Sequence, residues 1–185
     1  MKVITIKKKS LLKIYDQYRE RVNSCLDSYL SSIPSSPNFD IELRNIMKYS
    51  VLAGGKRFRP ILTYTVASLF DSKIKKADSC ACAIELIHIY SLIHDDLPAM
   101  DDDDIRHNQP TNHKVFGEAQ AILAGDGLQA LAFSIISSDP LVDADIKIKL
   151  IDLLSNSSYA MAEGQSIDLS VVSKKVNLNI LKQMH

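Results

Sequence analysis

Apolar side chains recur every three or four residues over long stretches of this chain, which is the spacing that places them on one face of an α-helix. No run of β-branched residues is bounded by the turn residues that mark a hairpin. The pattern predicts an all-α fold, a helical bundle. Helices are expected over residues 9–31, 40–53, 60–70, 76–96, 117–137 and 142–163.

Glycine and proline lie mostly between these segments. The clearest break is SSIPSSPNF, residues 31–39, because proline does not continue a helix. No repeat of the length of a solenoid unit is present. The sequence therefore predicts one domain over residues 1–185, and its last stretch, KKVNLNILKQMH, begins a further helical pattern.

The composition of the chain argues against some classes of function. Hydrophobic residues make up 46% of the chain, enough for a buried core, and 22 Lys plus Arg balance 22 Asp plus Glu. A chain without net charge gives no reason to expect a nucleic-acid partner. No apolar run approaches the roughly 18 to 20 residues of a membrane span, and MKVITIKKK is too short for a signal-peptide core. We therefore expect a cytoplasmic protein with no membrane span.

The cysteines give no sign of a metal or disulfide site. Cys25, Cys80 and Cys82 are odd in number, and their spacing matches neither a C-x-x-C pair nor a zinc set. We expect reduced thiols that behave as small buried hydrophobes.

Negative charge is concentrated just after the predicted helix 76–96. The segment SLIHDDLPAMDDDDIRH, residues 91–107, contains six aspartates within ten positions. Asp95 and Asp96 fall at the carboxyl end of a helix that is apolar around its circumference, where the helix dipole disfavours acids. A bound divalent cation would reverse this balance.

The spacing of the aspartates, D-D-x-x-x-x-D, returns Asp101 to the neighbourhood of Asp95. Two carboxylates on a Mg²⁺ ion that keeps its other positions for water and phosphate oxygen form the usual metal site for a diphosphate. Arg106 could bind the same diphosphate through two parallel hydrogen bonds. The alternative is a solvated acidic loop, which is what we expect of residues 102–104 (Asp102, Asp103 and Asp104). A calcium loop is excluded, because DDDDIRHNQPTN lacks its glycine and its final glutamate.

A basic connection lies upstream in LAGGKRFRPIL, where Gly54–Gly55 ends one predicted helix and Pro60 begins the next. The connection carries three cations: Lys56, Arg57 and Arg59. With the free amides at the start of the following helix, they indicate an anion site. It is not a Walker loop, because G-x-x-x-x-G-K-[ST] is absent. A solvated basic turn is the alternative.

His88 lies seven residues before Asp95, close to two helical turns. Both side chains are therefore expected on one helix face, about 10 Å apart along the axis. A core histidine with its hydrogen bonds satisfied is the alternative.

Four stretches occur in a specific order within residues 40–185: GGKRFRP, IELIHIYSLIHDDLPAMDDDDIR, PTNHKVFGEAQAILAGDGLQALAF and MAEGQSIDL. Together they resemble the trans-prenyl diphosphate synthase family, and the D-D-x-x-x-x-D form with its Pro-Ala insertion is similar to the bacterial type of the first aspartate-rich motif. The resemblance implies a helical bundle of the isoprenoid synthase type that forms homodimers.

The implied reaction is the Mg²⁺-dependent head-to-tail condensation of isopentenyl diphosphate with an allylic diphosphate, dimethylallyl or geranyl, to farnesyl diphosphate. By motif match, the resemblance makes Asp95, Asp101 and Arg106 the catalytic residues. Asp95 and Asp101 would be the metal ligands, with Asp96 in support, and Arg106 would bind the allylic diphosphate. Isopentenyl diphosphate is assigned to Gly55, Lys56, Arg59 and His88. The departing diphosphate would accept the proton, so no side-chain base is implied.

Tyr90 lies five residues before Asp95, about 7.5 Å along the helix. An aromatic residue at this position limits chain growth in the family, which implies a fifteen-carbon product. A core tyrosine with a paired hydroxyl is the alternative.

The chain departs from the family pattern after the aspartates. His107 and Asn108 follow Arg106, where the family has a second arginine and a glycine. If residue 107 contacts isopentenyl diphosphate, we expect weaker binding, because histidine lacks the guanidinium fork.

The family has a Lys-Thr pair and a second aspartate-rich motif beyond the position of His185, and these 185 residues contain no further D-D-x-x-D. Two hypotheses follow. In the first, the chain is part of a longer synthase, as the intact acidic and basic motifs indicate. In the second, it is a non-catalytic fragment or partner subunit that keeps diphosphate binding without turnover, as His107, Asn108 and the missing later motifs favour.

Overall fold

The computed structural model describes residues 8–34, 42–70 and 73–184. Its helices are α1 (Lys8–Ser31), α2 (Leu43–Val51), α3 (Phe58–Leu69), α4 (Asp78–Asp95), α5 (Asn112–Phe116), α6 (Glu118–Ser137), α7 (Ala144–Val171) and α8 (Leu178–Met184). A 3₁₀ turn, Ile74–Ala77, leads into α4. The prediction of an all-α fold is confirmed. Residues 1–7 and residues 35–39 of the Ser/Pro break, both interpreted above, lie outside the described residues.

All six predicted helices correspond to observed ones, and their ends agree within three residues except at the end of α7. That helix continues to Val171 rather than stopping at residue 163. Gly164 lies inside it, and a Cβ atom there would approach the carbonyl oxygen of Met184 to 2.6 Å. Glycine therefore permits the close contact of α7 with the end of α8.

A short hairpin joins β1 (Ile105–Arg106) to β2 (Gln109–Pro110), with Ile105 opposite Pro110. The expectation that the chain has no hairpin is wrong for these residues. The two turn residues, His107 and Asn108, have φ values of 52° and 63°. Positive φ at both central residues is the signature of a type I′ turn, whose twist matches that of the strands. The strands were missed because two residues each are too short to show an alternating pattern.

The central helix is α4, which packs against α1, α2, α3 and α6. Its buried side chains lie all around the helix, as the apolar sequence predicted; they include Leu86, Ile87, Ile89 and Ile93. Burial of this kind fixes the position of α4, and with it the position of the aspartates at its end.

Small residues on α6, including Ala121 and Gly125, allow it to approach α4 closely. A Cβ atom on Gly125 would lie 2.2 Å from Nε2 of His94. That nitrogen donates a hydrogen bond to the carbonyl oxygen of Ile122 at 3.1 Å. The last turn of α4 is thereby anchored to α6.

The chain divides into two compact units, Met1–Leu141 and Val142–His185. Helices α1 to α6 and the hairpin belong to the first, and the packed pair of α7 and α8 forms the second. The residues discussed below belong to the first unit. The assignment of residues 1–185 to one domain stays a prediction.

Helix α6 is long and apolar enough to cross a membrane, with a mean hydropathy of 1.4 over its most apolar window. The expectation that no apolar run approaches this length is therefore wrong for α6. Core helices of helical bundles meet the same criteria, and α6 packs against α2, α4 and α5. Length and composition are thus weak evidence for a membrane span.

The three cysteines are unpaired. Cys82 is buried in α4, whereas Cys25 and Cys80 are half-buried. The expectation of free thiols is confirmed, and that of full burial only for Cys82.

Candidate active site

The acidic motif lies where α4 ends. Asp95 is the last helical residue and half-buried, and Asp96 follows it and is buried. The chain then turns back, so that the amide of Asp101 donates a hydrogen bond to the carbonyl oxygen of Asp95 at 2.8 Å. The motif thus brings the Asp101 backbone to the end of α4, as the spacing predicted.

Asp95 carries an unfavourable charge. Burial raises the pKa of its carboxyl group, and the neighbouring carboxylates of Asp101 and Asp96 raise it further, while Arg106 acts in the opposite direction. A half-buried carboxylate beside a second one is a donor set that suits a hard divalent cation. The chemistry of these carboxylates therefore suits a divalent cation, and their assignment to Mg²⁺ stays a prediction.

Asp96 binds Arg106. The guanidinium donates from Nε to Asp96 Oδ1 at 2.7 Å, and its Nη2 lies 2.6 Å from the same oxygen. The hydrogen bond to Asp96 raises the pKa of Arg106. A weaker contact of 3.3 Å joins Nη2 to Asp103. Asp96 thus holds Arg106 in place, and the part that the resemblance gives to Asp96, support of the metal ligands, stays a prediction.

The basic connection is the loop of residues 52–57 between α2 and α3, which we call the basic loop. Gly54 and Gly55 have φ values of 99° and 117°, a region open to glycine. Lys56 is exposed, and Arg59 is exposed in the first turn of α3. α3 begins at Phe58, two residues before Pro60.

Arg57 differs from the other two cations, because its side chain is only 2% exposed and pairs with Glu85 at 2.9 Å. Arg57 belongs to the wall of the cavity described below together with Lys56 and Arg59, but its guanidinium bonds to protein groups, so the interpretation as an anion site applies more directly to Lys56 and Arg59. Sequence reasoning also missed Glu85, although an acid in the middle of an apolar helix is a recognisable signal, since a buried charge needs a partner.

A cavity of about 390 Å³ lies between the basic loop, α4 and the hairpin. Six of the predicted site residues line it: Gly55, Lys56, Arg59, His88, Arg106 and His107. Asp96 also contributes to its wall, whereas Asp95, Asp101 and Tyr90 are not among the lining residues. The structure thus brings together every predicted diphosphate-binding residue, from three separate parts of the chain.

His88 faces this cavity from α4. Burial lowers the pKa of its imidazole, the positive charges of Arg59, Arg106 and Arg57 lower it further, and Glu85 raises it. At neutral pH the ring is therefore mostly uncharged in the absence of a ligand.

His107 reaches the cavity from the turn of the hairpin. Its ring lies 3.6 Å from the point where a Cβ atom on Gly55 would stand. The residue at which the sequence departs from the family pattern is therefore in contact with the basic loop.

Other residues of the cavity wall had no sequence signal of their own. Tyr49 donates a hydrogen bond to the carbonyl oxygen of Pro110 at 2.8 Å, which fastens the hairpin to α2. Buried Asn112 donates to Ser50 Oγ at 2.9 Å and to the carbonyl oxygen of Ile46 at 3.0 Å. Both side chains position the hairpin side of the cavity.

A second group of candidate metal ligands lies in the loop after Asp101. Carboxylate oxygens of Asp102 and Asp104 and a ring nitrogen of His113 lie within 4.8 Å of one another. Asp104 already pairs with Lys114 at 2.6 Å. Asp102 and Asp104 are exposed, as predicted.

Tyr90 is buried in α4, and its ring packs edge-on against that of His94 with the ring centres 5.6 Å apart. This environment is that of a core aromatic residue, and a part in chain-length control stays a prediction.

The profile of the polyprenyl synthetase family matches residues 40–185. The chain is 43% identical to the farnesyl diphosphate synthase of Haemophilus influenzae and 44% identical to that of Escherichia coli, over 91% and 90% of its length. It spans 57% and 56% of those proteins. A crystal structure of a geranyltransferase from Legionella pneumophila superposes with a TM-score of 0.89 and 40% identity, covering 96% of this chain and 62% of that one. A crystal structure of a FPP/GFPP synthase from Zymomonas mobilis superposes with a TM-score of 0.87 and 37% identity, covering 95% of this chain and 64% of that one.

Proposed function

This chain belongs to the polyprenyl synthetase family, and we propose that it acts in the Mg²⁺-dependent condensation of isopentenyl diphosphate with dimethylallyl or geranyl diphosphate to farnesyl diphosphate. The observation that carries the proposal is that one cavity is lined by both the basic loop and Arg106. The similarity to relatives named farnesyl diphosphate synthase supports it. Because the chain spans just over half of those relatives, the activity proposed is that of the protein to which these residues contribute.

In this proposal isopentenyl diphosphate binds on the basic side of the cavity. The exposed side chains of Lys56 and Arg59 supply the positive charge, and Gly55 allows close approach of the backbone. His88 donates a hydrogen bond from α4. His107 adds a further contact, weaker than an arginine would give.

The allylic diphosphate binds at the acidic end of α4 in the same proposal. Arg106, already held by Asp96, donates to its phosphate oxygens. Asp95 and Asp101 would hold Mg²⁺, which when bound stabilises the negative charge of a departing diphosphate.

The reaction breaks the bond between the allylic carbon and its diphosphate oxygen and forms a carbon–carbon bond to isopentenyl diphosphate. The proton lost from isopentenyl diphosphate goes to the released diphosphate. The protein residues bind and orient the two diphosphates, which converts an encounter in solution into a step within one cavity. A limit on chain length at fifteen carbons, set by Tyr90, belongs to the same proposal by motif match with the family.

We also propose that the protein is a cytoplasmic homodimer, on the strength of the family. A second candidate function, a partner subunit that binds diphosphates without turnover, is favoured by one observation: His107 occupies the cavity wall where the family pattern has arginine.

Product analysis by mass spectrometry tests the proposal. The 185-residue chain would be incubated with dimethylallyl diphosphate, isopentenyl diphosphate and Mg²⁺, and calorimetry would measure the binding of each substrate. A fifteen-carbon diphosphate supports the synthase. Binding without product is the result expected both of a part of a longer synthase and of a partner subunit, so it excludes only turnover by these 185 residues alone. A folded chain that binds neither substrate contradicts both.

Exchange of Asp95 for Ala gives the sharpest control. It should abolish Mg²⁺-dependent binding of geranyl diphosphate while binding of isopentenyl diphosphate on the basic side persists. Unchanged affinity for geranyl diphosphate would exclude Asp95 as a metal ligand.

A further inference from the structure

Arg57 belongs to the basic loop, yet each of its guanidinium nitrogens bonds to another element. Nε donates to Asn23 Oδ1 at 2.9 Å, Nη1 to Glu85 Oε1 at 2.9 Å, and Nη2 to the carbonyl oxygen of Val51 at 2.5 Å. These partners belong to α1, α4 and α2. One side chain therefore ties the loop to three helices.

The backbone of Arg57 is strained. Its φ of 51° lies in the left-handed region, which glycine enters freely and residues with a Cβ atom enter at a cost. Such a conformation persists when the surroundings hold it. The neighbouring backbone is also held: Tyr15 donates its hydroxyl to the carbonyl oxygen of Lys56, and the amide of Ile61 donates to that of Arg57 at 3.1 Å.

The partner of Arg57 places the loop relative to the cavity. Glu85 lies three residues before His88 on α4, so the two side chains are neighbours on the helix surface. The bond from Arg57 to Glu85 therefore sets the basic loop against the part of α4 that carries His88.

Stability alone does not account for this pair. The side chains of Arg57 and Glu85 are 2% and 5% exposed, so both charges have been taken out of water. An apolar pair of similar size in such a place is often as stable or more stable, because it avoids the cost of desolvation. A buried ion pair that holds a strained residue between two exposed cations calls for another reason.

We propose that Arg57 is a positioning residue, whose buried guanidinium holds the basic loop in the conformation that presents Lys56 and Arg59 to isopentenyl diphosphate. The inference rests on the proposed function of this cavity. Its effect is selective, because Arg106 on the allylic side is held separately by Asp96.

The test replaces the pair by apolar side chains in the double variant Arg57→Met/Glu85→Met. Calorimetry measures the affinity for isopentenyl diphosphate and, separately, the affinity for geranyl diphosphate in the presence of Mg²⁺. Thermal unfolding measures stability. We expect a melting temperature equal to or above that of the parent chain. Affinity for isopentenyl diphosphate should fall by about tenfold or more, and that for geranyl diphosphate should stay within about twofold.

A conservative variant separates charge from geometry. Arg57→Lys keeps a cation facing Glu85 but cannot reproduce the fork that reaches Asn23 and Val51. Its affinity for isopentenyl diphosphate should lie between those of the parent chain and the double variant. If the folded double variant binds isopentenyl diphosphate like the parent chain, or loses both ligands equally, the positioning role is overturned.

If the double variant does not fold, Asn23→Ala tests the same positioning role with a smaller perturbation. It removes one hydrogen bond to Arg57, from a half-buried position on α1. We expect about threefold weaker binding of isopentenyl diphosphate, in line with the loss of one hydrogen bond. Unchanged affinity would contradict the inference.

Lys56→Ala shows whether the proposed function itself fails. This variant removes a direct contact and leaves Arg57 in place. If the parent chain does not bind isopentenyl diphosphate, or if Lys56→Ala binds it equally well, the proposed site is wrong. If Lys56→Ala loses binding and the Arg57 variants do not, the site stands and only the positioning role is overturned.

Discussion

Asp95 carries a charge that the folded protein disfavours. Its pKa is raised by burial and by the carboxylates of Asp101 and Asp96, so ionisation costs more in the folded chain than in the unfolded one. This cost is absent below the unfolded-state pKa of about 3.9 and is fully present once the pH exceeds the folded-state value. Ionised Asp95 therefore destabilises the fold at neutral pH.

Exchange of Asp95 for Asn should raise the melting temperature at pH 7, by about 2–4 °C for each kcal/mol recovered. The amide keeps the size of the side chain and removes its charge. Thermal unfolding followed by circular dichroism measures the change, and the gain should shrink as the pH falls towards about 4, where Asp95 itself becomes protonated. A lower melting temperature at pH 7 would contradict the electrostatic account.

His88 gives the basic side of the cavity a pH dependence. Its lowered pKa leaves it neutral at pH 7, and a bound diphosphate favours the protonated ring. Groups facing it from neighbouring elements are Arg59, Arg57, Arg106 and Glu85.

Affinity for isopentenyl diphosphate should therefore rise as the pH falls from about 7.5 to about 5.5, with proton uptake on binding. Calorimetry in buffers of different ionisation enthalpy measures the protons taken up. His88→Asn is the matched control, because it keeps a hydrogen-bond donor and cannot titrate. The proton uptake should vanish in this variant, apart from that of the diphosphate itself.

His107 is the departure from the family pattern that touches the cavity. Exchange of His107 for Arg should tighten the binding of isopentenyl diphosphate by about tenfold, because a charge-assisted hydrogen bond contributes about 1.5–3 kcal/mol before ordering costs. Calorimetry checks the affinity. Asn108→Gly is the control, since it relieves the positive φ at the same turn without adding a donor and should leave affinity unchanged.

At the scale of elements, the contact between α4 and α6 depends on Gly125. A Cβ atom there would lie 2.2 Å from His94 Nε2, whereas one on Gly127 would meet the flexible Met47 side chain at 3.1 Å. The two glycines lie two residues apart on one helix and differ in what they face.

Gly125→Ala should lower stability by about 1–2 kcal/mol, because displacement of His94 outweighs the gain in helix propensity. Gly127→Ala, which gains the same propensity, should be neutral or stabilising by up to about 1 kcal/mol. Chemical denaturation of both variants makes the comparison. Equal effects at the two positions would mean that close packing of His94 is unimportant.

The elements that the sequence predicted well are those whose pattern is long. α1, α4 and α6 each span several turns of apolar spacing, so their ends were placed within two residues. α5 has five residues and each strand two, which is too short for the apolar spacing of a helix or strand to repeat. The sequence pattern could not predict that the Arg57 side chain is buried, because its burial depends on an ion pair with Glu85, 28 residues further along the chain.

At the scale of the whole molecule, the motifs predicted which residues line the cavity, and the fold determines how these residues are arranged in it. Lys56, His88 and Arg106 were assigned to diphosphates from the sequence, and all three line one cavity. Their order along the chain could not show that the hairpin would bring His107 against Gly55. That contact arises from tertiary packing, in which Tyr49 fastens the hairpin to α2.

Mg²⁺ bound at the carboxyl end of α4 should stabilise the entire first unit against unfolding. Saturation at about 100 times the dissociation constant would add about 2.7 kcal/mol to the free energy of unfolding. Thermal unfolding with and without Mg²⁺ checks this, and EDTA should reverse the shift. The same shift in Asp95→Asn would locate the ion elsewhere, for which Asp102, Asp104 and His113 are the next candidates.

The bond between Asp96 and Arg106 also affects how a ligand arrives. When a free arginine side chain binds an anion, the loss of rotamer entropy costs up to about 2 kcal/mol. Here the two contacts to the buried Asp96 carboxylate order that side chain when the chain folds. In the proposed function, an arriving diphosphate would therefore meet a preorganised donor, and its binding would not require the arginine side chain to change conformation first.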